Sequence, residues 1–328
     1  MTTVPDAGQV IYFGKLPSRG DFVKSRTGSR VLDMLDAWVA QGLERLATDP
    51  GWKTHYDSSP EIDFGFLATQ KPFVLAGRLT PSADASQRRF PFIAAAASMA
   101  DQPLHLVARS PLSLSDTWHT MERMVALVRA AEDPRDALET MGATTLNPDS
   151  RAADADAAFH EFTVATSIAQ VEQALRAAGH AGSLRRMILS LGLLLTPVLT
   201  TAGAKPDKGL SLPLPSDAQM AAKVGAMWMN LIAPFLARGD FELGLFAQRR
   251  RERPTLVVVF GGANAGALRA MFYSNHDEDI TIDIAAADWV EDYVENDYAI
   301  KKLSSYLEMP QLSIRQATDT FQEAFLGA

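Results

Sequence analysis

Not one of the chain's 328 residues is cysteine. That absence removes disulfide frameworks, thiolate-held zinc, iron–sulfur clusters and cysteine nucleophiles together, so the fold must be held by burial of its own side chains. The chain has the means. At 47% apolar and 21% charged it has the balance of a globular protein rather than a disordered one, and its length suits about two domains. The longest apolar runs, residues 187–200 and 224–236, each contain a proline and fall short of the ~18 residues a spanning helix requires. They read as buried helices, and no membrane insertion is expected. Residues 1–10 hold Asp6 and no basic-then-apolar run, which does not read as a secretory signal, so a reducing cytoplasm is the expected location. The net charge of −8 is local: residues 277–298 hold nine acids and no Lys or Arg, leaving the rest close to neutral. Neither part is basic enough to neutralise phosphates, so nucleic acid is not an expected partner.

The patterning predicts an α+β protein. A strand over 9–16 leads into a loop over 17–28. An amphipathic helix follows, carrying Val31, Leu32, Leu35, Trp38, Val39 and Leu46 on one face, with Ser29 as its cap. Three closely spaced strands, 61–68, 73–80 and 90–97, favour antiparallel pairing, and helices over 115–131 and 134–141 complete a first unit. The small, polar and acidic stretch 146–156 reads as a linker, which divides the chain into domains 1–145 and 157–328. The second, helix-rich unit is expected to hold helices near 168–178, 183–199 and 217–237 and a loop over 203–215. Strands at 241–246 and 255–260 are joined by a short Arg-rich connection, and a helix over 263–273, a strand over 280–284 and two terminal helices follow.

Residues 13–23, Phe-Gly-Lys-Leu-Pro-Ser-Arg-Gly-Asp-Phe-Val, carry the densest chemistry. Gly14, Pro17 and Gly20 shape a strand-to-helix loop, and Asp21 can bond a neighbouring amide. A loop path does not require two cations, an acid and an aromatic side by side, whereas an interface hot spot combines arginine with an aromatic anchor. As a phosphate loop the segment fails, since no second glycine precedes Lys15 and no Ser or Thr follows it. Two uses stay open. The loop presents Lys15, Arg19, Asp21 and Phe22 to a partner together with Arg88 and Arg89, or it is braced internally, for example by Asp21 on Arg88.

Residues 14–22 resemble the signature near the N-terminus of the TagF family, also called ImpM, accessory proteins of bacterial type VI secretion. A second block agrees: Gly77, Pro81, Ser82, Asp84, Arg88, Phe90 and Pro91 are similar to that family's Gly, Pro-Ser-x-Asp and Gly-Arg-x-Phe-Pro-Leu elements. Trp38 stands where the family tends to carry tryptophan. Gln87 departs from an expected glycine and Phe92 from an expected leucine. The resemblance spans about residues 9–141. It implies an N-terminal antiparallel sheet flanked by helices, similar to longin or profilin domains. It also implies a cytoplasmic, non-enzymatic, post-translational repressor of type VI secretion that binds the forkhead-associated scaffold protein of the apparatus. Some members are fused to a phosphatase, but the second unit here lacks the clustered aspartates that would hold its two metal ions.

The remaining constellations carry less. Gly261, Gly262, Asn264 and Gly266 stand where a nucleotide-binding turn would, after a strand and before a helix, yet lack Gly-x-Gly-x-x-Gly spacing and a Lys-Ser/Thr pair. A tight turn capped by Asn264 is expected. The alternative function is a nucleotide-dependent switch or small-GTPase partner using that turn. Asp116, His119 and Glu122 share part of a helix face and read as surface charge, and no Gly-x-Ser-x-Gly elbow occurs. No catalytic residue, cofactor or metal ligand is therefore assigned. Arg249, Arg250, Arg251 and Arg253 are expected on a surface hairpin whose charge does not support the fold. Asp288, Glu291, Asp292, Glu295 and Asp297 line a helix with Trp289, Tyr293, Ile300 and Leu303 opposite, either as a solvated face or as a charged partner surface.

Overall fold

The computed structural model describes residues 8–149, 152–201, 203–249, 252–273 and 279–327, so Asp6, Arg250, Arg251, Asp277 and Glu278 lie outside the described residues. In chain order the elements are β1 (Val10–Gly14), β2 (Val23–Lys24), α1 (Ser29–Leu46), α2 (Trp52–Ser58), β3 (Ile62–Ala68), β4 (Phe73–Thr80), β5 (Phe92–Met99), α3 (Pro103–Arg109), α4 (Ser115–Ala130), α5 (Arg135–Ala143), α6 (Ala152–Ala165), α7 (Ile168–Ala177), α8 (Leu184–Thr200), β6 (Gly209–Pro213), α9 (Ala218–Leu236), β7 (Glu242–Gln248), β8 (Thr255–Val259), α10 (Ala265–Phe272), β9 (Thr281–Asp283), α11 (Val290–Val294), α12 (Tyr298–Leu307) and α13 (Ile314–Leu326). The fold is α+β, with an antiparallel N-terminal sheet flanked by helices and a helix-rich C-terminal part.

The described strands form one sheet in the order β2-β1-β5-β4-β3-β7-β8-β6-β9, antiparallel throughout except for the β6–β9 pair. Period-two alternation sends successive side chains to opposite faces. Ile93 and Ala95 of β5, Phe64 of β3, Phe246 of β7 and Val257 of β8 join a core with α1 and α10 on one side. From the same strands Leu67, Leu245, Leu256 and Val258 face a larger core built on α8 and α9. Val10, Phe92 and Ala94 meet Met121, Val125 and Leu138 of α4 and α5 in a third cluster.

The boundary drawn at 146–156 does not divide this sheet. β3 pairs with β7 from Asp63↔Ala247 to Ala68↔Glu242, so the first and last thirds of the chain share one ladder. Trp38 of α1 bridges that seam, with ring centroids 5.5 Å from Phe64, 5.1 Å from Phe66 and 5.9 Å from Phe246, while its Nε1 donates to the Asn264 carbonyl at 3.2 Å. The stretch read as a linker already contains the start of α6. Ser29 is the first residue of α1 rather than its cap, a place taken by Gly28 in the left-handed conformation. The loop expected over 203–215 contains β6, whose residues Gly209 to Pro213 gain strand geometry from β8 and β9 on either side. Tyr293, expected on the apolar side of its helix, is 52% exposed.

Candidate functional site: the signature loop and its brace

The two sequence blocks meet in space because β1 pairs with β5, which places the loop after β1 against the turn before β5. Gly14 has φ 130°, and a Cβ there would lie 2.1 Å from the Pro91 carbonyl oxygen, so the close approach of the two segments requires glycine. Beyond it Lys15 runs inward. Its Nζ lies 3.0 Å from Asp84 Oδ2 and donates to the Arg88 carbonyl at 3.3 Å, with residue exposures of 7% for Lys15 and 0% for Asp84.

Asp84 is the hub. Its Oδ1 accepts the Ser86 and Arg88 amides at 3.0 and 2.9 Å, and its Oδ2 accepts Arg88 Nε at 2.7 Å beside Lys15. Burial alone would raise this carboxyl, but the Arg88 amide, the Lys15 ammonium and the Arg88 guanidinium outweigh it and hold Asp84 well below the usual carboxylate range. Arg88 then reaches the loop directly: Nη2 donates to the Gly20 carbonyl at 2.7 Å, and the Ala85 amide donates to the Arg19 carbonyl at 2.8 Å. Gln87, where the signature pattern expects glycine, has φ 61° and is the one non-glycine residue with positive φ among those described.

The turn is anchored from beneath by Tyr56, which is 1% exposed; its hydroxyl donates to the Ser82 carbonyl at 2.9 Å and accepts the Ser82 amide at 3.0 Å. Arg89 grips Asp57 of α2 through Nε at 2.8 Å and Nη2 at 2.5 Å and lies over the Trp52 ring. The loop is thus braced internally through Asp84, not through the Asp21–Arg88 pair expected as an example. Lys15 is buried in that brace, Arg88 ties Asp84 to the loop, and Arg89 ties the turn to Asp57. Arg88 is four residues from Asp84, but Lys15, the other cation on that carboxylate, stands 69 positions away and gives no local signal.

What faces outward is Arg19, Asp21 and Phe22, together with Arg88, whose side chain stays 60% exposed while it bonds Asp84. Phe22 is 54% exposed, seated edge-on against Phe90 at 4.9 Å, with the Lys15 ammonium 5.1 Å from its ring. Asp21 is exposed and has no hydrogen-bond or ion-pair partner among the described residues. Arg19 Nη2 meets Asp133 Oδ1 at 2.5 Å. A groove opens there, lined by Tyr12, Arg19, Phe22, Arg26, Arg135 and Leu138. Sequence inspection missed Tyr12, Arg26, Arg135 and Leu138, because α5 and the loop come together only through β1.

The other candidates fold into structure. Asn264 caps α10, its Oδ1 accepting the Gly266 and Ala267 amides at 2.7 and 3.3 Å, so the donors a phosphate would need are already engaged. Arg249 corrects the expectation of a charge that does not support the fold: Nε and Nη2 donate to the 2% exposed Asp63 at 2.8 and 2.5 Å, and Nη2 also reaches Glu122 at 3.3 Å. Arg78, 4% exposed, takes the other Asp63 oxygen at 2.6 Å. Burial pushes the Asp63 carboxyl up, and the two guanidiniums oppose that shift. The acidic stretch expected as one helix is split between α11 and α12, and on α11 Glu291 is bound by Arg185 and Arg186 of α8, which hold its carboxyl down at about 2. Asp297 caps α12.

Residues 11–144 match the TagF N-terminal domain, described as type VI secretion system-associated. No curated protein matches the chain. Among solved structures it is similar to PA0076 from Pseudomonas aeruginosa PAO1, at 16% identity and a TM-score of 0.44, over 81% of this chain and 94% of that one. No helix among the described residues is long and apolar enough to cross a membrane.

Proposed function

We propose, on the premise that residues 11–144 of this chain belong to the TagF N-terminal domain family, that the protein is a non-enzymatic, post-translational regulator of bacterial type VI secretion. It acts in the cytoplasm as a repressor, by binding the forkhead-associated scaffold protein of the apparatus. One observation carries this reading. The loop is braced from below through Asp84, while the Phe22 ring is left half exposed on a groove that it shares with Arg19 and the unpaired carboxylate of Asp21. Pre-organised display of an aromatic with an arginine is how binding surfaces reduce the ordering cost of association. Against the alternative of a nucleotide-dependent switch stand the amides of that turn, already capped by Asn264.

The test separates display from bracing. Phe22→Ser and Arg19→Ala are expected to keep the melting temperature, weaken binding to the purified scaffold protein by tenfold or more (about 1.4 kcal/mol), and relieve repression of secretion in cells. Undiminished binding and repression by both variants would move the functional surface elsewhere.

A further inference from the structure

We infer that the groove between the signature loop and α5 receives an acidic segment of the partner protein that carries an apolar anchor; this rests on the docking role proposed for the loop. The walls are apolar, made by the Tyr12 ring, the exposed face of Phe22, Val23 and Leu138. Around them stand Arg19, Lys24, Arg26 and Arg135, with Asp21 the one acid on the lining. The positive charge is only partly answered within the protein. Arg19 and Arg135 converge on the single carboxylate of Asp133, at 2.5 Å from Arg19 and at 2.8 and 2.6 Å from Arg135 Nε and Nη2. Lys24 lies 3.4 Å from Asp33, with both side chains more than half exposed. Arg26 is exposed and has no ion pair among the described residues. Asp136 and Glu139 of α5 line a neighbouring depression with Thr140, Ala143 and Thr144, and Glu139 is near enough to the groove to act on the Tyr12 hydroxyl against Arg26.

Charge complementarity therefore selects the occupant. Two guanidiniums sharing one carboxylate can each take a further acceptor, and Arg forks match carboxylates bidentately. A bare small anion would use the cations and leave Phe22 and Leu138 without contact, whereas a peptide with an acidic residue beside an apolar one satisfies both. Nucleic acid is disfavoured by the chain's net charge of −8. The groove lies beside β2, the two-residue edge strand of the sheet.

The experiment titrates the full chain with the purified forkhead-associated scaffold protein at low and moderate salt, comparing wild type, Phe22→Ser and the double variant Lys24→Glu/Arg26→Glu. Neither Lys24 nor Arg26 belongs to the Asp84 brace. The reversed pair is expected to lower affinity at least tenfold at low salt and to flatten the salt dependence. If Phe22→Ser weakens binding while the reversed pair changes neither affinity nor salt dependence, the docking role of the loop stands and the acidic-segment inference falls. If no variant changes binding, both fall. Should the reversed pair lose thermal stability, Lys24→Gln/Arg26→Gln provides the same comparison with a loss of about threefold expected, and an unchanged affinity there overturns the inference.

Discussion

Gln87 has a backbone conformation that costs an L-residue about 1–2 kcal/mol relative to glycine, and its φ of 61° is enforced by the Asp84 turn on one side and the Ala83–Arg89 bridge on the other. Glycine at this position would relieve the strain, offset in part by the larger entropy it loses on folding. Gln87→Gly is therefore expected to raise unfolding free energy by about 0.5–1 kcal/mol, read as a higher urea midpoint at unchanged slope. A lowered midpoint would mean that the side chain contributes more than its backbone costs. The sequence pattern pointed to this position, since a glycine was expected there, yet the reason only becomes visible with the turn closed over Asp84. Asp84 itself shows the limit of sequence reading. Its place in the second block is plain, but its partner Lys15 comes from the first, and only the β1–β5 ladder brings them together.

Among elements, those with strong periodicity were legible and those made by their neighbours were not. The spacing of Val31, Leu35, Trp38 and Val39 is enough to specify α1, Asn264 caps α10 as expected, and Asp217, read as the start of its helix, caps α9. By contrast α2 buries Tyr56 alone, and β6 offers a Leu-Ser-Leu core flanked by glycine and proline; each takes its form from what it packs against. The connection between β7 and β8 is the instructive error. Its arginines look alike in sequence, but Arg249 is drawn inward by Asp63, a carboxylate on β3 that the β3–β7 ladder sets beside it, while Arg253 stays exposed. Arg249→Ser is expected to cost about 1.5–3 kcal/mol, the range for hydrogen bonds to charged groups, with Arg78 left to hold Asp63. Arg253→Ser should stay within about 0.5 kcal/mol. Equal effects in thermal or urea unfolding would return the connection to the solvated reading.

For the whole molecule, the decisive feature is the β3–β7 seam beneath Trp38. A fragment ending at residue 145 would retain the signature loop, its Asp84 brace and the five strands from β1 to β5, but it would present β3 with a bare ladder from Asp63 to Ala68 and would uncover Phe64 and Phe66. Such an edge is a template for self-association. The expected result is that residues 1–145 expressed alone accumulate as aggregate, while full-length protein nicked between residues 144 and 151 still elutes as one body on gel filtration. A soluble, monomeric fragment would show that the ladder contributes little. The stretch that matches the TagF N-terminal domain is, in physical terms, part of a sheet that the remainder of this chain completes. Likeness in sequence and completeness as a sheet thus have different borders in this protein: a segment can match a known domain from end to end and still lean on its downstream neighbour for its ladder.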